Sequence, residues 1–410
     1  MSSIAIFPCT FTPAAEAAEV LARVHDLRVY RDLNLIEDTA RIYGTSVEKL
    51  EKALYGKTSV FNQFTLEREK CLNQMKLVLA EKISQPQGYI FYGFLSFLIS
   101  PRISHVFRSL IVDGRAVRIE KAITEGVSER SAKKQIHDED LKAFNLSDFL
   151  HKKEAYDSSL FDLVEPVAGR SAEQIASVIS GYFQRTSVLR TEQSEQAATE
   201  MRVQAQVERL LLDAGHKMNV CVTGTKAILK VEKSVLNFDR LVNELNDLVQ
   251  NKLIEVKEVL VEKSIDYNDS IYRRQRFDLP SKVLFVDDER EFVETVSERL
   301  ISRDVGTYGV FNGDEALSLI EEDCPDVMVL DLKMPGLSGV QVLREAKKVA
   351  PEVEVIILTG HGSQQDMLDC MELGAFSYMN KPVDIAELSE TIMAAHEKAA
   401  TRQKEKEQLN

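Results

Sequence analysis

The chain has no apolar run long enough to cross a bilayer. Its most apolar stretch, Gly88 to Ile99, stops at Ser100-Pro101-Arg102, short of the ~18 residues a span requires. The N-terminus also lacks the basic region and apolar core of a signal peptide, so no membrane insertion is expected. Cysteine is scarce: Cys9, Cys71, Cys221, Cys324 and Cys370 are odd in number and form no C-x-x-C pair. Reduced thiols and a soluble, cytoplasmic protein are therefore expected. Basic charge is short as well, with 51 Lys and Arg against 65 Asp and Glu and a formal net charge of −14. Phosphate backbones are bound through a basic footprint, so general nucleic-acid binding is not expected. No helix-turn-helix can be placed in the short tail that closes the sequence, and direct DNA binding is not expected either.

What is present is enough for several cores. At 410 residues and 44% hydrophobic composition, the chain reads as globular with two or three domains.

The last third is organised around VMVLDLKMPGLSG, Val327 to Gly339. Its apolar run ends in one carboxylate, Asp331, and then a Met-Pro-Gly turn, the pattern of a strand buried on both faces of a parallel sheet. Ligands of open α/β sheets bind beyond the carboxyl ends of the strands. Three more runs end in polar residues: Lys282 to Val286 before Asp287 and Asp288, Val353 to Leu358 before Thr359, Gly360 and His361, and Phe376 to Asn380 before Lys381 and Pro382. If these strands are parallel and adjacent, three carboxylates, a hydroxyl and an amine converge. Crowded carboxylates repel unless protonated or holding a cation, and an oxygen-rich pocket suits Mg²⁺. Taken singly, Asp287 or Asp288 could instead cap the helix starting near Glu289, Tyr378 could be a packed strand aromatic, Lys381 a solvated turn residue, and His361 a loop residue.

Taken together and in this order, the acid pair, DLKMPG, LTG, SYMN and the Lys-Pro pair make Val283 to about Ala394 resemble a two-component response-regulator receiver domain. The resemblance implies that Asp331 is the phosphoacceptor, and that Asp287 and Asp288 organise Mg²⁺ with Asp331 and the Lys333 backbone carbonyl. It also implies that Lys381 pairs with phosphoryl oxygens, that Thr359 turns toward the phosphate, that Tyr378 changes rotamer, and that Lys381-Pro382 is cis. A sensor histidine kinase or phosphotransfer protein is the implied phosphodonor, and the output partner is unknown. Helical spacing at Phe292 to Ile301, Asp314 to Ile320, Val340 to Val349, Met367 to Leu373 and Ile385 to His396 completes a βα alternation. The expected fold is a five-stranded doubly wound, flavodoxin-like parallel sheet.

The first segment also reads as α/β. Strands are expected at Ile4 to Phe7, Leu27 to Tyr30 and Tyr89 to Tyr92, with further apolar runs at Leu95 to Leu98 and Phe107 to Val112. Helices are expected at Ala14 to Val24, Leu33 to Tyr43 and Ser46 to Leu54, and the alternation favours a parallel sheet. Within it, Arg118 to Asp140 and Asp157 to Ile179 resemble the cytidylate kinase-like family, which implies a P-loop nucleoside monophosphate kinase fold. The corresponding first turn, FPCTFTPAAEAAEVL from Phe7 to Leu21, has no glycine and no lysine. Pro8 and Pro13 remove N–H donors that a phosphate cradle is made from. Gly56-Lys57-Thr58 imitates the end of such a loop without its first glycine or a preceding strand. Arg118, Arg130, Lys133 and Lys134 remain as candidate basic positions. The domain is expected to be catalytically inactive and to bind a ligand or protein partner.

Between these lies an expected helix, two strands, helix and strand. Met201 to Leu212 continues a polar linker helix, Thr223-Gly224-Thr225-Lys226 forms a hairpin turn between Asn219 to Val222 and Ala227 to Val231, and Phe238 to Val249 and Ile254 to Val261 follow. The order resembles small BON-type modules, from which no function is transferred. Arg273, Arg274 and Arg276 form a short basic patch, either a solvated hinge or a contact for the acidic receiver face.

The expected division is therefore a kinase-like domain at 1–187, a small α+β module at 188–265, a linker at 266–280, a receiver at 281–398 and a charged tail at 399–410. Two readings of the whole remain open: a phosphorylation-controlled signalling protein, and a nucleoside monophosphate kinase regulated by its own receiver.

Overall fold

The computed structural model describes residues 1–235, 238–271, 282–303, 305–360 and 363–409. The basic patch at Arg273, Arg274 and Arg276 and the loop residue His361 lie outside the described residues. The chain divides into two compact units, one of Met1–Thr58 with Glu67–Arg273 and one of Ser59–Leu66 with Arg274–Asn410.

In the first unit, β1 (Ser3–Pro8), β2 (Arg28–Arg31), β3 (Tyr89–Tyr92), β4 (Val106–Val112) and β5 (Leu163–Pro166) form one sheet in the order β2-β3-β1-β4-β5. Every pairing is parallel. Alternate residues feed opposite cores: Ile4, Ile6 and Ile90 join one, while Ala5, Phe7 and Phe91 join the other. That two-sided burial is why these strands read as continuous apolar runs. Leu95 to Leu98 lies in a 3₁₀ turn, Phe94–Leu98, and not in a strand.

The same unit holds a three-stranded sheet, β6 (Asn219–Thr223), β7 (Lys226–Ser234) and β8 (Glu258–Ile271). The hairpin turn falls at Gly224, in the left-handed region at φ 59°, where glycine carries no steric penalty. Val220, Val222, Leu229 and Val231 pack with Val203, Val207, Leu241 and Leu245 from helices Glu192–Asp213 and Phe238–Gln250. The last strand departs from expectation at both ends. Ile254 is 94% exposed and precedes it, because Leu253 and Val256 are still closing the preceding helix through bonds to the Val249 and Leu253 carbonyls. The strand then runs to Ile271, into the stretch expected to be linker.

In the second unit, β9 (Val283–Val286), β10 (Thr307–Val310), β11 (Val327–Leu330), β12 (Glu354–Thr359) and β13 (Ser377–Asn380) form a sheet ordered β10-β9-β11-β12-β13. It is parallel throughout, with Phe285, Val329 and Ile356 in one core and Leu284, Met328 and Ile357 in the other. This is the doubly wound sheet expected from the sequence. The tail continues the last helix, Ile385–Leu409.

Ser59–Leu66, expected within the first domain, belongs to this unit instead. Phe61 is fully buried in the core of the second unit, 6.2 Å from the Tyr308 ring. Asp323 Oδ2 accepts from Ser59 Oγ at 2.5 Å and from the Val60 N–H at 3.1 Å. A Cβ at Gly306 would stand 2.6 Å from Phe64 Cγ, so that close approach requires glycine.

Candidate functional site

Strand register assembles the site. Leu330 pairs with Val286, which sets Asp331 beside Asp287 at the carboxyl edge of the sheet. The Asp331 N–H donates to the Val286 carbonyl at 2.9 Å, and the Leu332 N–H donates to Asp331 Oδ1 at 2.8 Å. Thr359 pairs with Asn380, and the Lys381 N–H donates to the Thr359 carbonyl at 2.9 Å, so Lys381 leaves the sheet one residue past its neighbour. The Lys381–Pro382 peptide bond is cis, as expected.

The turn after Asp331 depends on another glycine. A Cβ at Gly339 would lie 2.1 Å from the Asp331 carbonyl oxygen. Ser338 then caps helix Gly339–Val349 in a reciprocal capping box with Gln341. Gly360 is different, because a Cβ there would meet Lys381 only at an ordinary 3.9 Å.

Oxygens of Asp287, Asp288 and Asp331 lie within 4.8 Å of one another. Asp287 and Asp331 are buried and Asp288 is exposed. Lys381 Nζ stands 2.6 Å from Asp287, 3.1 Å from Glu289 and 3.8 Å from Asp331, over the Phe292 ring at 4.3 Å. Burial holds the Asp287 carboxyl above its ordinary value, and Asp331 adds to this, against the opposing pull of Lys381 and the Glu289 N–H. Burial lowers Lys381, but Asp287, with Glu289 and Asp331 behind it, outweighs that and raises it.

One amine shared among three carboxylates, with Asp288 beside them, leaves negative charge uncompensated among the described residues. Three oxygens at this spacing fit a hard divalent cation, which a site of this kind binds through a few carboxylates while leaving waters on the ion.

The capping alternative is met in part. Glu289 is the N-cap of helix Arg290–Ile301 and makes no side-chain capping bond, while Asp287 Oδ1 accepts the Glu289 N–H at 3.0 Å. Thr359 is fully buried at the end of β12. Tyr378 packs against the core, and its buried hydroxyl has no hydrogen-bond partner among the described residues. Lys333 lies exposed in the turn after Asp331. Sequence reasoning overlooked Glu289 and Phe292. Their signal was position, at the entry and first turn of the helix that follows the acid pair.

The equivalent edge of the first sheet is built otherwise. β1 ends at Pro8, and the turn to helix Ala14–His25 carries Phe11 at φ 59°. A cavity of about 310 Å³ lies against it, lined among others by Pro8, Cys9, Thr10, Arg31, Asp32 and Glu139. Asp32 accepts the N–H groups of Phe94 and Leu95, and burial still pushes its carboxyl up to about 6. Arg118 is buried and clamped by both oxygens of Asp140 at 3.0 Å, which also takes the Tyr156 hydroxyl at 2.6 Å. Arg130, Lys133 and Lys134 lie exposed on helix Glu129–His151. Gly56 follows the last turn of helix Val47–Tyr55, the wrong end of a helix for holding phosphate.

An all-parallel five-stranded sheet in this strand order, with acids and an amine at its carboxyl edge, is the architecture of a receiver domain. The response regulator receiver domain model matches residues 283–393, and the chain belongs to that family through its last third. The sporulation initiation phosphotransferase F of Bacillus subtilis is 32% identical over 111 residues, 27% of this chain and 90% of that protein. The transcriptional regulatory protein GlrR of Escherichia coli is 35% identical over 121 residues, 30% of this chain but 27% of that protein. A solved receiver domain from Clostridium thermocellum is 38% identical over 30% of this chain and 96% of its own, with a TM-score of 0.28. The cytidylate kinase-like family model matches residues 6–164. Among the described residues no helix is long and apolar enough to cross a membrane.

Proposed function

We propose that this protein is a response regulator of a two-component phosphorelay, accepting a phosphoryl group on Asp331 from a histidine kinase or phosphotransfer protein. The observation that carries this reading is the meeting of Asp287, Asp288, Asp331 and Lys381 at one sheet edge.

Asp331 acts as nucleophile. A carboxylate oxygen attacks phosphorus, the donor's oxygen or nitrogen departs with the electron pair, and an acyl phosphate remains. Asp287, Asp288, Asp331 and the Lys333 carbonyl are the groups to hold Mg²⁺, which when bound supplies positive charge to the transferring oxygens. Lys381 supplies a second positive charge, and the turn fixed by Gly339 holds Asp331 in place. The acyl phosphate carries about −1.5 to −2 charge in place of the carboxylate's single negative charge, and presents three acceptor oxygens. Thr359 donates to one of them and Tyr378 repacks in response, passing a local charge change to a distant surface.

The kinase-like domain serves as an output module without turnover of its own. Support comes from the turn without glycine or lysine, and from Arg118, whose guanidinium is committed to Asp140. The second reading, a receiver-regulated nucleoside monophosphate kinase, draws on the family match at 6–164.

Acetyl phosphate with Mg²⁺ is expected to label the wild-type chain and not Asp331→Ala. Label surviving that substitution removes Asp331 as the acceptor. Turnover of ATP and CMP would restore the enzyme reading.

A further inference from the structure

A second cavity in the first unit, of about 220 Å³, lies at the amino-terminal half of β4 and shares no lining residue with the cavity at the strand ends. Its apolar walls include Phe97, Leu160 and Phe161. The two phenylalanine rings meet at 62° with centroids 6.1 Å apart. Every charged or titratable side chain in its lining is basic: Arg108, His151 and Lys153. That bias runs against the composition of a chain with net charge −14.

The three basic groups are not equivalent. Arg108 is paired with Asp162, at 2.8 Å to one carboxylate oxygen and 3.2 Å to the other. His151 Nε2 lies 2.9 Å from the Phe97 carbonyl, so that nitrogen carries the proton. Burial, and then the positive charges of Lys76, Lys153 and Arg108, hold the ring below its ordinary value. Lys153 is exposed and donates to Ser159 Oγ; among the described residues it has no carboxylate partner within ion-pair distance. Its ammonium, on which the Asp157 carboxylate acts through space and not by direct contact, stands at the rim of an aromatic slot. Pockets for small molecules have this composition, apolar walls with a few placed polar groups.

Size narrows the class. A buried cavity of about 150 Å³ accepts benzene, so this one has room for a single ring and one small substituent. We propose that it binds a small aryl carboxylate, with the ring against Phe97 and Phe161 and the carboxylate at Lys153. The Lys153 ammonium disfavours a cationic ligand of the same shape by like-charge repulsion. This assignment is independent of Asp331 and its chemistry.

The probe is 4-fluorobenzoate, followed by ¹⁹F line broadening with the full chain, and 4-fluorobenzylammonium is its cationic counterpart. Wild type is expected to broaden the benzoate signal and not the ammonium one. Lys153→Glu changes an exposed side chain and is expected to weaken benzoate binding by roughly tenfold, the loss of one charge-assisted contact of about 1.4 kcal/mol. Leu160→Trp, which fills the slot, is expected to abolish binding while circular dichroism stays unchanged. No benzoate broadening in wild type, equal broadening in Lys153→Glu, or tighter binding of the ammonium would each overturn the proposal.

Discussion

Two parallel sheets in one chain show how little a sheet's architecture says about its chemistry. Both put strand ends on a carboxyl edge, the place where open α/β folds bind ligands. In the second unit that edge presents Asp287, Asp331 and Lys381, with a charge surplus that a cation would relieve. In the first unit it presents Pro8, Cys9 and a left-handed Phe11, and its buried arginine is already neutralised by Asp140. Strand order fixes where a site can be, and the few residues after each strand decide what it can do.

The contrast can be broken or sharpened by substitution. Lys381→Ala is expected to have the largest effect, slowing acetyl phosphate labelling by roughly 10²-fold, as loss of one transition-state donor does. Rate measurement over a donor series checks this, and an unchanged rate would reduce the amine to a structural role. Gly339→Ala forces a Cβ into the Asp331 carbonyl and is expected to destabilise the second unit by about 1–3 kcal/mol, the range for overpacking. Denaturant melts followed by probes in each unit should show the loss in the second only.

Asp287→Asn is a smaller change of opposite sign. The Asp287 carboxyl is raised, chiefly by burial, so its stabilising contribution is fully present below the unfolded value and is lost as pH rises through the folded one. Without Mg²⁺ at neutral pH, the amide should therefore raise the melting temperature of the second unit. Lowered stability would mean that the Lys381 pair outweighs burial.

The smallest expected effect lies at the first sheet. Asp32 is pushed up to about 6 by burial, against ~3.9 for a free aspartate. The folded form holds a proton that the unfolded chain has released, so stability declines as pH rises from about 4 through 6. Asp32→Asn should flatten that slope, read from hydrogen exchange at Phe94 and Leu95, whose N–H groups it accepts.

Most strands were legible, because two-sided burial writes them as unbroken apolar runs. The exceptions have physical causes. β10, Thr307–Val310, is a four-residue edge strand containing Gly309, where a Cβ would stand 2.4 Å from Val293. β5 carries a buried Glu165 made tolerable by its ion pair with Arg170. Helix Glu67–Ser84 has no single apolar stripe, since Leu72, Met75, Leu77, Val78 and Leu79 are all buried. At the candidate site the individual acids were visible as strand-end residues, but Glu289 and Phe292 gain their places beside Lys381 only through folding.

The sequence by itself determined the alternation of strands and helices and the identity of the groups at each strand's end, since both follow from local periodicity and residue chemistry. Only the tertiary structure decided which groups meet: the sharing of Lys381 among Asp287, Glu289 and Asp331, the capture of Arg118 by Asp140, and the burial of Phe61 among residues far along the chain. Strand register and long-range packing set those distances, and neither is written in any local stretch of residues.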